Sequence, residues 1–197
     1  GDGRQDLVVI EGSQTDPYVS VARLYLNQGV RLASAPAWTS AETEVTLVAF
    51  GALDHDGKAD LALCNGWVRK NETTPKRMGA VVYKGTASGL AAAPAWSNAQ
   101  GSLDGYPSVL TWADFNGDGW QDLTVHGYVM SNQRNHPTVL YRNSSGSLAY
   151  LCVYKSRDYK NGAGVGIGRT RGWADMNNDG KLDLWGPDLI LEADTPT

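Results

Sequence analysis

The chain is short of the residues that usually carry redox, metal–sulfur and nucleophilic chemistry. Its 197 residues include two Cys, three His, three Met and two Phe. Cys64 and Cys152 are too few and too far apart for a disulfide scaffold or a zinc site with C-x-x-C spacing; they stand either as one disulfide or as two buried thiols. His55, His126 and His136 show no ligand spacing with one another, and no G-x-S-x-G elbow is present. No apolar run approaches the roughly 18 residues of a membrane span, so no membrane insertion is expected. The opening Gly1-Asp2-Gly3-Arg4 has neither the apolar core nor the cleavage pattern of a signal peptide and reads as a mature, processed or excised segment. A net charge of −4 with a pI near 5.3 supplies no basic footprint, which argues against a nucleic-acid partner.

What remains is 42% hydrophobic, enough for a buried core, with 23 Gly and 8 Pro. The apolar residues fall in short runs broken by Gly, Asn, Asp and Ser, which predicts an all-β fold. One acidic string, D-x-N-x-D-G-x-x-D, recurs about every sixty residues. Two copies are complete, Asp114 to Asp122 and Asp175 to Asp183. A third, from Ala52 to Asp60, has lost its first acid, and Asp2-Gly3-Arg4-Gln5-Asp6 matches the last five positions of a fourth.

The surrounding text repeats too. Phe50, Trp112 and Trp173 each sit two residues ahead of a string. A β-rich segment follows each string, as in Asp60-Leu61-Ala62-Leu63 and Asp122-Leu123-Thr124-Val125. A later strand carries a Tyr (Tyr25, Tyr83, Tyr141), and two repeats add a nearly identical edge segment, Ala35-Pro36-Ala37-Trp38 and Ala93-Pro94-Ala95-Trp96. Lettered A to D, strand A ends at the aromatic, B begins at the last Asp, C carries the Tyr and D holds the Pro-Ala-Trp.

Four short antiparallel strands per repeat predict β-propeller blades. The expectation is a partial propeller of two whole and two partial blades. The lettered strands run B-C-D, A-B-C-D, A-B-C-D, A-B, and one propeller domain would divide into a partial blade with strand A of the next (1–51), two repeats (52–113 and 114–174) and a last partial blade (175–197). Propellers usually close with at least about four blades, so flanking sequence or another chain is expected to complete the ring.

The Phe50-Gly51-Ala52 segment and the acidic strings resemble the FG-GAP or VCBS repeats of integrin α-subunit propellers and of many secreted proteins, over essentially the whole chain. The resemblance implies that each acidic loop is an A–B hairpin turn binding calcium. It further implies an extracellular or cell-surface protein serving adhesion, ligand binding or the anchoring of partner domains, and not an enzyme.

The residues support the calcium expectation on their own. Ca²⁺ takes six to eight hard oxygens, and side chains at positions 1, 3, 5 and 9 with a carbonyl at 7 nearly fill that shell, while Gly at 6 permits the turn. The predicted ligands are Asp114, Asn116, Asp118, Asp122 and the Trp120 carbonyl, then Asp175, Asn177, Asp179, Asp183 and the Lys181 carbonyl. In the incomplete copy they are Asp54, Asp56, Asp60 and the Lys58 carbonyl, with water replacing one ligand or no ion at all. An EF-hand would need Glu at position 12, where Val125 and Gly186 stand. The plain alternative is a set of Asx and Asp-Gly turns with solvated carboxylates.

Other chemistry has less support. The glycine-rich run 161–168 leads into a strand and opens no helix, so it does not read as a phosphate loop. The closely paired carboxylates all lie in the acidic strings, leaving no independent acid and base pair. Strand connectivity puts the A–B and C–D loops on one face. The other face would carry Trp67, Arg69, Tyr128, Arg134, His136 and Tyr159, candidates for binding a protein or glycan ligand. A lectin-like propeller, or the targeting domain of a secreted enzyme, is the second functional class. Lectin sites would need similar B–C loops in each blade, and these differ. Asn71 and Asn143 head glycosylation sequons.

Overall fold

The computed structural model describes residues 2–15, 19–66, 79–98, 106–128, 137–155, 172–186 and 189–191. Among these the chain is all-β, built of antiparallel sheets in chain order. The first sheet joins β1 (Leu7–Gly12), β2 (Ser20–Tyr25) and β3 (Trp38–Thr39). The second joins β4 (Val45–Gly51), β5 (Asp60–Asn65), β6 (Gly79–Tyr83) and, beyond the small hairpin of β7 (Gly85–Thr86) and β8 (Gly89–Leu90), β9 (Trp96–Ser97). In the third, β10 (Tyr106–Ala113), β11 (Asp122–Tyr128), β12 (Pro137–Ser144) and β13 (Ser147–Lys155) pair as a meander. The fourth holds β14 (Gly172–Ala174), β15 (Asp183–Gly186) and β16 (Leu189–Leu191).

These strands follow the lettered pattern closely. β5, β11 and β15 begin at the last Asp of their strings, and the Pro-Ala-Trp segments end in the short outer strands β3 and β9. Two differences stand out. The chain adds a third strand, β16, where the sequence suggested only A and B. The outer strand of the third sheet is the nine-residue β13, reached by a tight turn in which Ser145 and Gly146 have φ of 53° and 84°. That two-residue turn of left-handed residues matches the twist of the strands it joins, so no Pro-Ala-Trp detour is needed.

The sheets pack face to face. Alternate residues of a strand point to opposite faces, and β5 uses both of its faces. Ala62 and Cys64 enter a core with Leu110, Leu123, Val125, Val139, Tyr141 and Leu148 of the third sheet. Leu63 joins Ala22, Val45 and Tyr83 in a second core toward the first sheet. The apolar run 61–64 is therefore buried on both sides, as an inner strand covered by sheets front and back should be. Cys64 is a fully buried free thiol, pushed up to about 12 by desolvation.

The contacts between sheets also repeat. Trp38 Nε1 donates to the Ala91 carbonyl at 3.0 Å, and Trp96 Nε1 donates to the Leu148 carbonyl at 2.7 Å. The same two indoles meet Tyr83 and Tyr141 edge on, with centroids 4.8 and 4.9 Å apart. Further in, Trp112 Nε1 donates to the Ala49 carbonyl and Trp173 Nε1 to Thr124 Oγ1. Each of these four tryptophans thus ties its sheet to a neighbour, whereas Phe50 is exposed. Gly51 is required by this packing, since a Cβ there would run into the Trp112 indole.

Candidate functional site: the acidic loops

The acidic strings form the loops β4–β5, β10–β11 and β14–β15. Their shape depends on left-handed backbone. The position-6 glycines Gly57, Gly119 and Gly180 have φ of 78°, 88° and 85°, a region that costs other L-residues. Position 4 is also left-handed in the two complete copies, at Gly117 (φ 70°) and Asn178 (φ 62°). His55, in the incomplete copy, is not left-handed, so that loop takes a different path.

The two complete loops carry the same hydrogen-bond network. The amide of Asp118 donates to Asp114 Oδ1 and to Asn116 Oδ1, Gly119 N donates to Asp114 Oδ2, and Trp120 N donates to Asp118 Oδ1. In the last loop Asp179 N donates to Asp175 Oδ1 and Asn177 Oδ1, Gly180 N to Asp175 Oδ2, and Lys181 N to Asp179 Oδ1. The side-chain amides of Asn116 and Asn177 donate to Asp118 Oδ2 and Asp179 Oδ2. Side chains at positions 1, 3 and 5 therefore turn their oxygens onto their own loop. Among the described residues, no group of three or more His, Cys, Asp or Glu side chains gathers in a metal-holding arrangement. The oxygens at positions 1, 3 and 5 instead accept from the loop's own amides.

The ninth residue behaves differently. Asp60, Asp122 and Asp183 are buried, and each accepts through Oδ2 from the amide of position 2, Leu53, Phe115 and Met176 respectively. Through Oδ1, Asp60 accepts from Gly85 N and Asp122 from Asn143 N, both at 2.7 Å, and Asp6 accepts from Asn27 N at 2.8 Å. Asp60 and Asp122 thus bridge the A–B loop to the end of strand C. Sequence reasoning assigned the ninth residue only as a ligand; an acid recurring at the start of a buried strand, where Asp is disfavoured, was the available signal. Burial, with the nearby charges of Asp118 and Asp114 adding, pushes Asp122 up to about 6 against the pull of its two amides.

Adjacent loops touch. Asn143, fully buried, donates through Nδ2 to the carbonyls of Leu53 and Gln121. Gln121 Oε1 accepts from Ala52 N, and His55 stacks on Trp120 with centroids 3.9 Å apart. Acidic loops and C–D turns thus share one end of the stacked sheets. With its side chain enclosed, Asn143 offers no glycosylation acceptor in the folded chain. Tyr128 ends β11, opposite Tyr106 and away from the acidic loop. Trp67, Arg69, Arg134, His136, Tyr159, Asn71 and the run 161–168 lie outside the described residues.

Cations border the loops. Arg142 Nη2 lies 3.2 Å from Asp118 Oδ2. The Trp120 amide, then Asn116 and Arg142, hold the Asp118 carboxyl below its ordinary value. In the incomplete loop Lys58 and Lys84 lie 2.7 Å from Asp56 and Asp54, and these pairings raise both lysines while Lys58 lowers Asp56. Compared with protein families and with curated proteins, the chain matches no family model and no curated sequence. Among the described residues no helix is long and apolar enough to cross a membrane.

Proposed function

We propose that this chain is a non-catalytic, calcium-binding β-propeller module of the FG-GAP or VCBS kind, serving adhesion or protein–ligand interaction outside the cell. The observation that carries the reading is the identical placement of donors in the loops 114–122 and 175–183. Asp, Asn and Asp oxygens face the same loop amides, and the position-6 glycine has the same left-handed backbone. A calcium ion would be held there by Asp114, Asn116, Asp118, Asp122 and the Trp120 carbonyl, and by Asp175, Asn177, Asp179, Asp183 and the Lys181 carbonyl. When bound, it would supply a positive charge that offsets the crowded carboxylates. The recurrent Trp–Tyr and indole–carbonyl contacts from sheet to sheet support a blade-like arrangement.

Its role is structural, because the loops close hairpins that position neighbouring sheets. A ligand would then be met by the far face, where Tyr128 ends its strand. Metal analysis of protein dialysed against millimolar calcium tests the ion, and absence of bound calcium overturns it. A glycan array and a protein-interaction screen, each run with and without calcium, test the partner class. Selective glycan binding would favour the lectin-like alternative.

A further inference from the structure

The loop from Ala52 to Asp60 departs from its two counterparts in three respects. Ala52 stands where they have their first acid, and its amide is taken by Gln121 Oε1 of the neighbouring loop at 2.8 Å. Position 4 lacks the left-handed backbone that shapes the other two. Its two remaining loop carboxylates each hold an ammonium group: Lys58 Nζ is 2.7 Å from Asp56 Oδ2, and Lys84 Nζ is 2.7 Å from Asp54 Oδ2. Two of the loop's three acids face cations, so the charge that would draw a divalent ion is largely offset, and the third acid is the buried Asp60.

Lys84 comes from outside the loop, directly after β6. Arg142 holds the same place after Tyr141 and reaches Asp118 at 3.2 Å, but among the described residues Asp114 makes no ion pair. The complete loop therefore keeps Asp114, near the solvent, without a cation, whereas in the incomplete loop the acid left without one is the buried Asp60. Asp60, the last predicted ligand, is fully buried and accepts from Leu53 N and Gly85 N.

We propose that Lys58 and Lys84 stand in for the metal ion in the 52–60 loop, which is closed by two lysine–aspartate pairs and takes no calcium. The contrast rests on the calcium reading of the other two loops; the lysine pairs do not. Calcium titrated into chelator-stripped whole chain should saturate at two ions (about one per complete loop), stay unchanged in Asp54→Asn, and fall by one ion in Asp114→Asn. A third ion in the wild type, or loss of an ion in Asp54→Asn, overturns the proposal. The variant Ala52→Asp/Lys58→Ala/Lys84→Met should gain an ion, and failure to gain one counts against exclusion by lysine.

The lysine pairs have their own readout. In excess chelator, Lys84→Met should speed amide hydrogen exchange at Asp56 and Lys58 about two- to fivefold. Unchanged exchange overturns the proposal. If the wild type binds no calcium but exchange still accelerates, the calcium reading fails while the lysine closure stands.

Discussion

The backbone amide of Asn143 donates to Oδ1 of Asp122 at 2.7 Å, joining the end of β12 to the start of β11 across 21 positions. Gly85 and Asp60 make the same bond, and so do Asn27 and Asp6. The last acid of each string is thus a backbone fastener before it is anything else. Asp60→Asn keeps one acceptor and turns an amide toward a second donor, and should destabilise the fold by about 1–3 kcal/mol. Urea unfolding, run in calcium and again in chelator, checks this. Equal losses are expected, and a loss confined to calcium would assign Asp60 to an ion instead.

Internal repetition makes a paired test of the loop backbone. Asn178 already occupies position 4 with φ of 62°, so Gly117→Asn should change stability by less than about 0.5 kcal/mol. Gly119→Ala places a Cβ on a residue with φ of 88° and should cost about 1–2 kcal/mol. Chemical denaturation of both variants decides, and a neutral Gly119→Ala would contradict the loop geometry.

Trp38 and Trp96 should respond alike. Replacing either by Phe keeps most of the edge-on contact with Tyr83 or Tyr141 but leaves a carbonyl without its indole donor, at a cost of about 1 kcal/mol. Thermal melts of the two variants should shift together. A large loss at one position and none at the other would mean that the sheet contacts are not equivalent.

Asp122 gives the acid side of the stability profile a definite sign. Its folded value is raised from 3.8 to about 6, so between those values the native state holds more protons than the unfolded chain. Its contribution is therefore most favourable below about pH 4 and is lost as pH rises through 6, in protein free of calcium. Asp122→Asn should flatten that segment of the profile, which denaturation between pH 4 and 7 measures. A wild-type profile rising with pH over the same window, and unchanged in the variant, would refute the assignment.

Calcium should stabilise the fold. At a free concentration 100 times the dissociation constant, each occupied site contributes about 2.7 kcal/mol. Excess chelator should lower the melting temperature, and Asp118→Ala should reproduce part of that change. Coincident melting curves with and without chelator would remove the structural role given to the ion.

Much of this architecture could be read in the chain. Asp60, Asp122 and Asp183 mark strand starts because a buried β-run begins beside a turn, and Trp38 and Trp96 mark outer strands because Pro precedes them. Tertiary contacts were less accessible. That Asn143 is buried and spans two loops depends on a neighbouring sheet 90 positions away, and no local pattern separates it from a surface sequon. The lysine pairs were equally hidden, since Lys84 reaches Asp54 only once β6 lies beside its loop. β16 is three residues long, too short for alternation to register.

The span of the recurrent tryptophan contacts has a kinetic meaning. Trp38 reaches Ala91 across 53 positions and Trp96 reaches Leu148 across 52, so these tryptophans bind the sheet that follows their own. Loop-closure entropy grows only slowly with length, and equal spans make each docking step about as demanding as the one before. Folding can therefore begin at any neighbouring pair and spread outward, in the manner of stacked repeats. During synthesis from the N-terminus, each completed sheet would offer a finished surface to the next as it emerges, which shortens the time its apolar face spends in water.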